Sequence, residues 1–368
     1  MTDVFLIFLV LFGIVLFGFV IWVILNYKYY SSKDYCKVAI TGFIDTNLVG
    51  PYYVSLKAKM VEYPDRDKYG GILGVNPLNN TKFFHPIKNS HYCMALYEIY
   101  LENKDESLRD EMIKIGNAII MNSVDTDYGG KVWPMPLQFH KNQQLPWISA
   151  MYQGSIIGAL VRLYEVDPKD EYLYIAKQAL KAFTKPIREG GVISDDISEG
   201  EYYEEYAYKE IDKQRHTLNG MLAALFGIHD LWKKTKDEEA KRLFDKGVKT
   251  IKENLIKFDL PFCSTYDLRY KQGDVPVINP RYNAVHVAQL HVLAKLTGDD
   301  YFAGIADCWD MKLKDRINRL RQTFHYFRLK AYSMYEEAQW LGVLKMILYN
   351  IRRLLLQFKF LAIKKRKL

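Results

Sequence analysis

Cysteine is scarce in this chain of 368 residues: Cys36, Cys93, Cys263 and Cys308 are its four, far apart, with no C-x-x-C pair and no zinc-ligand spacing. That excludes a disulfide scaffold, and the thiols read as free, which fits a reducing compartment. Positive charge is lacking from the body. The formal net charge is +8, but residues 311–368 hold 15 Lys+Arg against 3 Asp+Glu, leaving 36 against 40 for the first 310. A mildly acidic body argues against a nucleic-acid surface there. Tryptophan is sparse, with 6 residues, whereas Tyr numbers 28 against 19 Phe. A hydrophobic content of 49% is ample for a full core.

Long apolar runs are missing except for one. Val4 to Leu25 is 22 residues without a charge. As a helix it would span roughly 33 Å, enough for a bilayer core. A signal peptide would want a basic leader and a small-residue cleavage site. Here the leader is Met-Thr-Asp, and Trp22 and Tyr27 suit an interface, so a single uncleaved transmembrane anchor over 1–27 is expected. Lys28, Lys33 and Lys37 follow it, which by the positive-inside tendency places the body on the cytoplasmic side, the lumenal side being the alternative. The lone Asn79-Asn80-Thr81 sequon is too weak to reverse that.

Residues 28–85 read as a linker and a short β-rich segment, because Gly70-Gly71 and Asn76-Pro77 break the apolar runs into turns. From Pro86 the apolar positions take helical spacing. Four helical pairs follow: His91–Glu102 with Ser107–Asn122, Ile148–Tyr164 with Glu171–Thr184, Thr217–Lys233 with Glu238–Phe258, and Ala284–Leu296 with Tyr301–Met311. Loops with Gly129-Gly130, Gly190-Gly191 and Asn279-Pro280 separate them. Helical hairpins joined in this way predict a mainly α fold, an α/α toroid over 86–311 with an inner ring of helices inside an outer one. An open helical array is the alternative.

One stretch stands apart. Glu201 to Gly220 alternates Tyr202, Tyr203, Tyr206 and Tyr208 with Glu201, Glu204, Glu205 and Glu210, then runs through Arg215 and His216 into a helix. By composition it reads first as a solvated acidic loop. The other reading is a cleft in which phenols and carboxylates exchange protons with a substrate.

The residues resemble a known family. Trp147-Ile148-Ser149-Ala150-Met151-Tyr152-Gln153-Gly154 is similar to the W-x-S-A-M-x-Q-G stretch of the D-glucuronyl C5-epimerase C-terminal domain. Gly190-Gly191-Val192, Tyr203-Glu204-Glu205-Tyr206, Leu218-Asn219-Gly220, Tyr266-Asp267-Leu268-Arg269, and Tyr282 with His286, Gln289 and Leu290 follow in that family's order, from about Leu145 to Met311. The chain departs at Ala207, where the family has Pro, and at Asn283, where it has His. Animal members carry a large β-domain before the helices, and residues 52–85 are too short to hold one.

The resemblance implies inversion at C5 of D-glucuronosyl units to L-iduronosyl in a heparosan-like polymer. The C5 hydrogen lies beside a carboxylate, so its removal gives a carbanion or enolate. That needs a base on one face, an acid on the other, and a donor or cation on the carboxylate. The resemblance carries catalytic roles onto Tyr206, Tyr266, Tyr282 and Glu205, with Tyr266 and Tyr282 favoured for proton transfer. It makes Arg269 the carboxylate clamp, and Asn219, Gln153, Glu204 and His286 substrate contacts. Gln153 could equally be a buried amide that pins the inner helices, and Arg215 and His216 could be ligands or a helix-entry salt bridge. No metal or cofactor is called for. His286 and His291 are five apart, a poor ligand spacing.

Partners expected are a uronic-acid polysaccharide and a membrane, with a homodimer left open. The tail over 312–368 ends in Lys364-Lys365-Arg366-Lys367-Leu368 and reads as a packing helix to Trp340, then a basic segment suited to a membrane surface. Two rival functions share the sequence: a uronic-acid polysaccharide lyase, and a non-catalytic membrane-anchored glycan-binding protein.

Overall fold

The computed structural model describes residues 13, 38–41, 49–76, 79–138, 145–194, 196–197, 200–208, 214–272, 276–326 and 328–329. The apolar run 4–25 and the basic segment 331–368 therefore lie outside the described residues, residue 13 apart. Among the described residues no helix is long and apolar enough to cross a membrane.

Strands β1 (Leu73–Val75) and β2 (Lys82–Phe84) form an antiparallel hairpin with Leu73 opposite Phe84, as the turn-rich segment predicts, and β3 (Val124–Asp125) pairs antiparallel with β4 (Lys131–Val132). Four helical hairpins follow: α1 (Pro86–Asn103) with α2 (Glu106–Met121), α3 (Ala150–Val166) with α4 (Asp170–Leu180), α5 (Leu218–Thr235) with α6 (Glu238–Asn254), and α7 (Pro280–Thr297) with α8 (Asp300–Lys314). Asp105, Ser149, Asp237, Asn279 and Asp299 cap the starts of α2, α3, α6, α7 and α8 with side-chain oxygens. Those oxygens satisfy helix donors that have no partner in the first turn.

Each helix packs on its hairpin partner, and α1, α3, α5 and α7 also pack on one another in that order. The odd-numbered helices are thus an inner row and the even-numbered ones an outer row. Composition separates the two. Helix α5 is buried along most of its length, from Leu218 to Leu231, whereas α6 buries only one stripe, including Ala240, Leu243, Phe244 and Ile251. A helix covered on every side must be apolar or small all round; one facing water needs a single stripe.

The tightest crossing is α3 on α5. A Cβ on Gly227 would fall inside the carbonyl of Gly154, and one on Gly154 would strike the Ala224 backbone. Small residues at one level let these backbones meet.

Sequence and structure differ at the start of the last hairpin. The expected first residue is Ala284, but α7 begins at Pro280, whose fixed φ suits the first helical position. Tyr282 consequently sits on the first helical turn. The described part of the acidic stretch, residues 201–208 and 214–220, is not a solvated loop either. Tyr202 and Tyr203 form β6, antiparallel to β5 (Ile193–Ser194), and both are buried, as are Glu204 and Glu205. Beyond α8, Gln322 donates to the Phe262 carbonyl at 2.9 Å, so the start of the tail packs on the body.

Candidate active site

The inner helices start at one end of the array, and short elements between hairpins deliver side chains there. Glu205 follows β6 and lies against the first turn of α5, where a Cβ on Gly220 would collide with its carboxylate. The glycine at 220 leaves room for the acid. Tyr266 follows β8 (Cys263–Ser264), the second strand of a hairpin with β7 (Asp259–Leu260). Its carbonyl accepts from Leu218 N at 3.2 Å, which ties this segment to the start of α5. Tyr282 comes from the first turn of α7.

These groups converge. The Tyr266 hydroxyl donates toward both Glu205 oxygens at 3.3 Å and meets the Tyr206 hydroxyl at 3.3 Å. The Tyr266 and Tyr282 ring centroids lie 4.6 Å apart, with the planes tilted by 58°. Thr217 Oγ1 donates to Glu205 Oε2 at 2.8 Å. Glu205 and Tyr266 are 5% and 7% exposed, whereas Tyr206 and Tyr282 are half-buried and form the solvent-facing side. The Arg215 guanidinium lies 4.5 Å from the Tyr206 ring centre and 5.9 Å from that of Tyr266. Trp147 backs Tyr206 at 5.5 Å between centroids.

Burial dominates the electrostatics. It raises the Glu205 carboxyl above the usual carboxylate range, against the Thr217 hydroxyl, the Arg215 charge and the two phenols. Burial, reinforced by the Glu205 charge, holds Tyr206 and Tyr266 well above an ordinary phenol and raises Tyr282 too. The resting cluster is therefore a carboxyl of enhanced basicity beside protonated phenols, under one guanidinium.

The expected site residues divide. Tyr206, Tyr266, Tyr282 and Glu205 come together. Arg269 is paired with an acid: its Nε and Nη2 both bond Asp267 Oδ2 at 3.0 Å. Asp267 also takes Arg215 Nε at 3.3 Å, and Arg215 is the cation over the phenols. Arg215 is thus both helix-entry salt bridge and site residue, a pairing that alternating Tyr and Glu gives no means of seeing.

Gln153 takes the place of the buried amide that the sequence left open. It is fully buried, accepts from Trp133 N at 3.3 Å, and donates to the carbonyls of Lys131 at 2.9 Å and Ala179 at 3.2 Å. Both amide hydrogens are spent on backbone. Glu204 is also framework: it is fully buried, accepts from His216 N at 2.9 Å and pairs with His216 Nδ1 at 2.5 Å. His286 is buried, 2.8 Å from Ser264 Oγ, and burial lowers its imidazole to about 3. Ser264 N and Oγ also donate to Asn283 at 2.6 and 2.8 Å. The Asn that departs from the family pattern therefore joins α7 to the strand leading to Tyr266. Asn219 is 7% exposed, and its backbone carbonyl accepts from Gln289 Nε2 at 3.1 Å. Thr217 is a site neighbour that the motifs alone do not single out, and Tyr152, within the first of them, lies against Trp147 with ring centroids 5.9 Å apart. Among the described residues no group of three or more His, Cys, Asp or Glu could hold a metal ion.

A buried acid, three phenols and a guanidinium gathered at the inner-helix starts can exchange protons with a polar group placed among them. Residues 127–311 match the family described as D-glucuronyl C5-epimerase C-terminus, and the chain belongs to that family. It is 31% identical over 204 residues to the D-glucuronyl C5-epimerase of Caenorhabditis elegans, covering 50% of this chain and 32% of that protein. It is 27% identical over 179 residues to an uncharacterized protein of Methanocaldococcus jannaschii, covering 48% of this chain and 56% of that one. The chain thus spans between a third and somewhat over half of the length of these curated relatives. Among solved structures, cellobiose 2-epimerase from Bacillus thermoamylovorans aligns over 69% of this chain and 66% of that one, at 13% identity and a TM-score of 0.48. A family 76 glycoside hydrolase aligns over 79% and 66%, at 10% identity and 0.46.

Proposed function

We propose that this protein is a carbohydrate epimerase that inverts C5 of D-glucuronosyl units to L-iduronosyl in a uronic-acid polymer of the heparosan type. One observation carries the reading: the Tyr266 hydroxyl lies within 3.3 Å of both oxygens of buried Glu205 and of the Tyr206 hydroxyl. Inversion beside a carboxylate needs a proton acceptor and a proton donor close together but on opposite faces of one carbon. Contacts of 3.3 Å are long for hydrogen bonds between oxygens, and such bonds tighten when substrate arrives.

In this reading Glu205 is the acceptor, because burial raises its basicity. The Tyr266 or Tyr282 hydroxyl returns a proton to C5 from the opposite face, and the phenolate left behind is reprotonated from solvent. Arg215 faces the growing negative charge on the substrate carboxylate, a role in which a preorganised cation is most effective. The inner and outer helix rows belong to a closed α/α toroid, with the cluster at one mouth. The apolar run 4–25 would tether the protein to a membrane.

The test is deuterium uptake. A de-sulfated uronic-acid polymer in D2O is followed at C5 by NMR. Uptake with new iduronate signals supports the epimerase. Unsaturated uronate absorbing in the near ultraviolet would replace it with a lyase, and binding without exchange would leave a glycan-binding protein.

A further inference from the structure

A second feature lies one helix stripe away from the phenols. A cavity of about 410 Å³ runs between the inner helices, and all four of them line it. Met151, Asn219 and Arg281 face it, and each directly precedes a group at the cluster: Tyr152, Gly220 and Tyr282. Cavity and cluster therefore adjoin at the first turns of α3, α5 and α7.

Residues 49–56 cross the inner helices deeper down. Tyr97 on α1 donates to the Val49 carbonyl at 2.7 Å, Glu98 accepts from Leu56 N at 3.0 Å, and Arg162 on α3 reaches the Pro51 carbonyl at 3.3 Å. Tyr53 donates to Asp230 on α5 at 2.8 Å. These anchors sit roughly three turns below the helix starts. Tyr52, Val54 and Leu56 of this segment form part of the cavity wall.

The polar lining is incomplete. Asn219 Oδ1 and Gln289 Oε1 are buried without a hydrogen-bond partner, on side chains 7% and 5% exposed. The Gln289 amide is oriented, since its Nε2 donates to the Asn219 carbonyl at 3.1 Å. Its oxygen is thus an acceptor awaiting a donor, and such groups are seldom left unmet. Exposed Lys59 and Arg281 add positive charge at the rim.

We infer that this cavity is a blind subsite for the end of an anionic saccharide chain, so that the protein acts on units near a chain terminus. The inference rests on the epimerase reading and adds where on the polymer it works. Sugar hydroxyls would donate to Asn219 and Gln289, ring C–H faces would lie on Val54, Val285 and Met151, and a carboxylate would meet Lys59 and Arg281. The volume is at the low end for ligand pockets, which suits a chain end and not a chain passing through.

A short and a long uronic-acid oligosaccharide, incubated with the full protein in D2O, provide the test. Deuterium should gather in the units nearest one end of both, with the amount per chain independent of length. Deuterium spread evenly along the longer chain overturns the inference and leaves the epimerase standing. Two variants on exposed positions guard against misfolding: Lys59→Gln and Ala58→Trp should each raise KM about tenfold with kcat little changed. Unchanged KM in both also overturns it. If no unit exchanges, saturation-transfer NMR separates the two ideas. Terminal sugar protons in contact with the protein keep the subsite and remove the epimerase, and no terminal contact removes both.

Discussion

Two regions of this molecule are built from the same residue types and behave in opposite ways. In the middle of the inner helices, Arg162 pairs with Asp230 at 2.6 Å, both fully buried, and Tyr53 donates to the same carboxylate at 2.8 Å. Arg162 also bonds the carbonyls of Gly158 and Pro51, at 2.9 and 3.3 Å. At the mouth, Arg215, Glu205 and Tyr266 repeat the trio. There the guanidinium lies over phenol rings and bonds Asp267, while Glu205 is held by Thr217 and by phenols at longer range. The first trio uses its charges on one another and is sealed by the chain. The second keeps a basic carboxyl beside half-buried phenols, ready for an outside group. Residue type does not separate framework from site; the partner of each charge does.

That contrast can be broken first at the mouth. Glu205→Gln and Tyr266→Phe should each lower C5 exchange by about 10²–10⁴-fold while thermal unfolding changes little, measured by deuterium NMR beside calorimetry. Full activity in both variants would remove the site. The inner trio should respond the other way. Asp230→Ala leaves the Arg162 charge buried alone and should cost about 3–5 kcal/mol in denaturant unfolding, and Arg162→Met with Asp230→Leu should recover most of it. If the double variant also lost exchange while folded, the inner trio would be more than framework.

A third variant tests the packing that positions both trios. Gly227→Ala should cost about 3 kcal/mol or more, because its Cβ meets the Gly154 carbonyl and two backbones must part. The smallest effect is on pH. His216 is raised to about 9, with burial opposing and Glu204 and Asp196 outweighing it. Its contribution is complete below the ordinary histidine value near 6.5 and should be lost as pH rises through about 9. His229 and His85 are lowered to about 4, chiefly by burial, so stability should also fall as pH drops from about 6.5 toward 4. Thermal unfolding from pH 4 to 10 should therefore show a broad maximum near neutrality. Without Glu204, in Glu204→Gln, the alkaline loss should shrink.

Much of the fold was legible because helical spacing and capping chemistry are local. Asp105, Ser149, Asp237 and Asp299 cap helices that the apolar period already marks. The start of α7 was misplaced because Tyr282 and Asn283 look like loop residues until Pro280 is recognised as a first-turn residue. The four residues expected to do chemistry do meet. Gln153, Glu204 and His286 stand in the same motifs and yet hold backbone, a histidine and a serine. A motif marks positions that matter to a family, and structural and chemical reasons leave the same mark.

Periodicity, caps and motif order are properties of neighbours along the chain, and they suffice for the helical hairpins, the family and the set of tyrosines and acids. Which arginine lies over the phenols, which acids are tied to framework partners, and that residues 52–56 line the cavity appear only in three dimensions. Those outcomes depend on distances between groups dozens of residues apart, and on how burial sets the basicity of one carboxyl and not another.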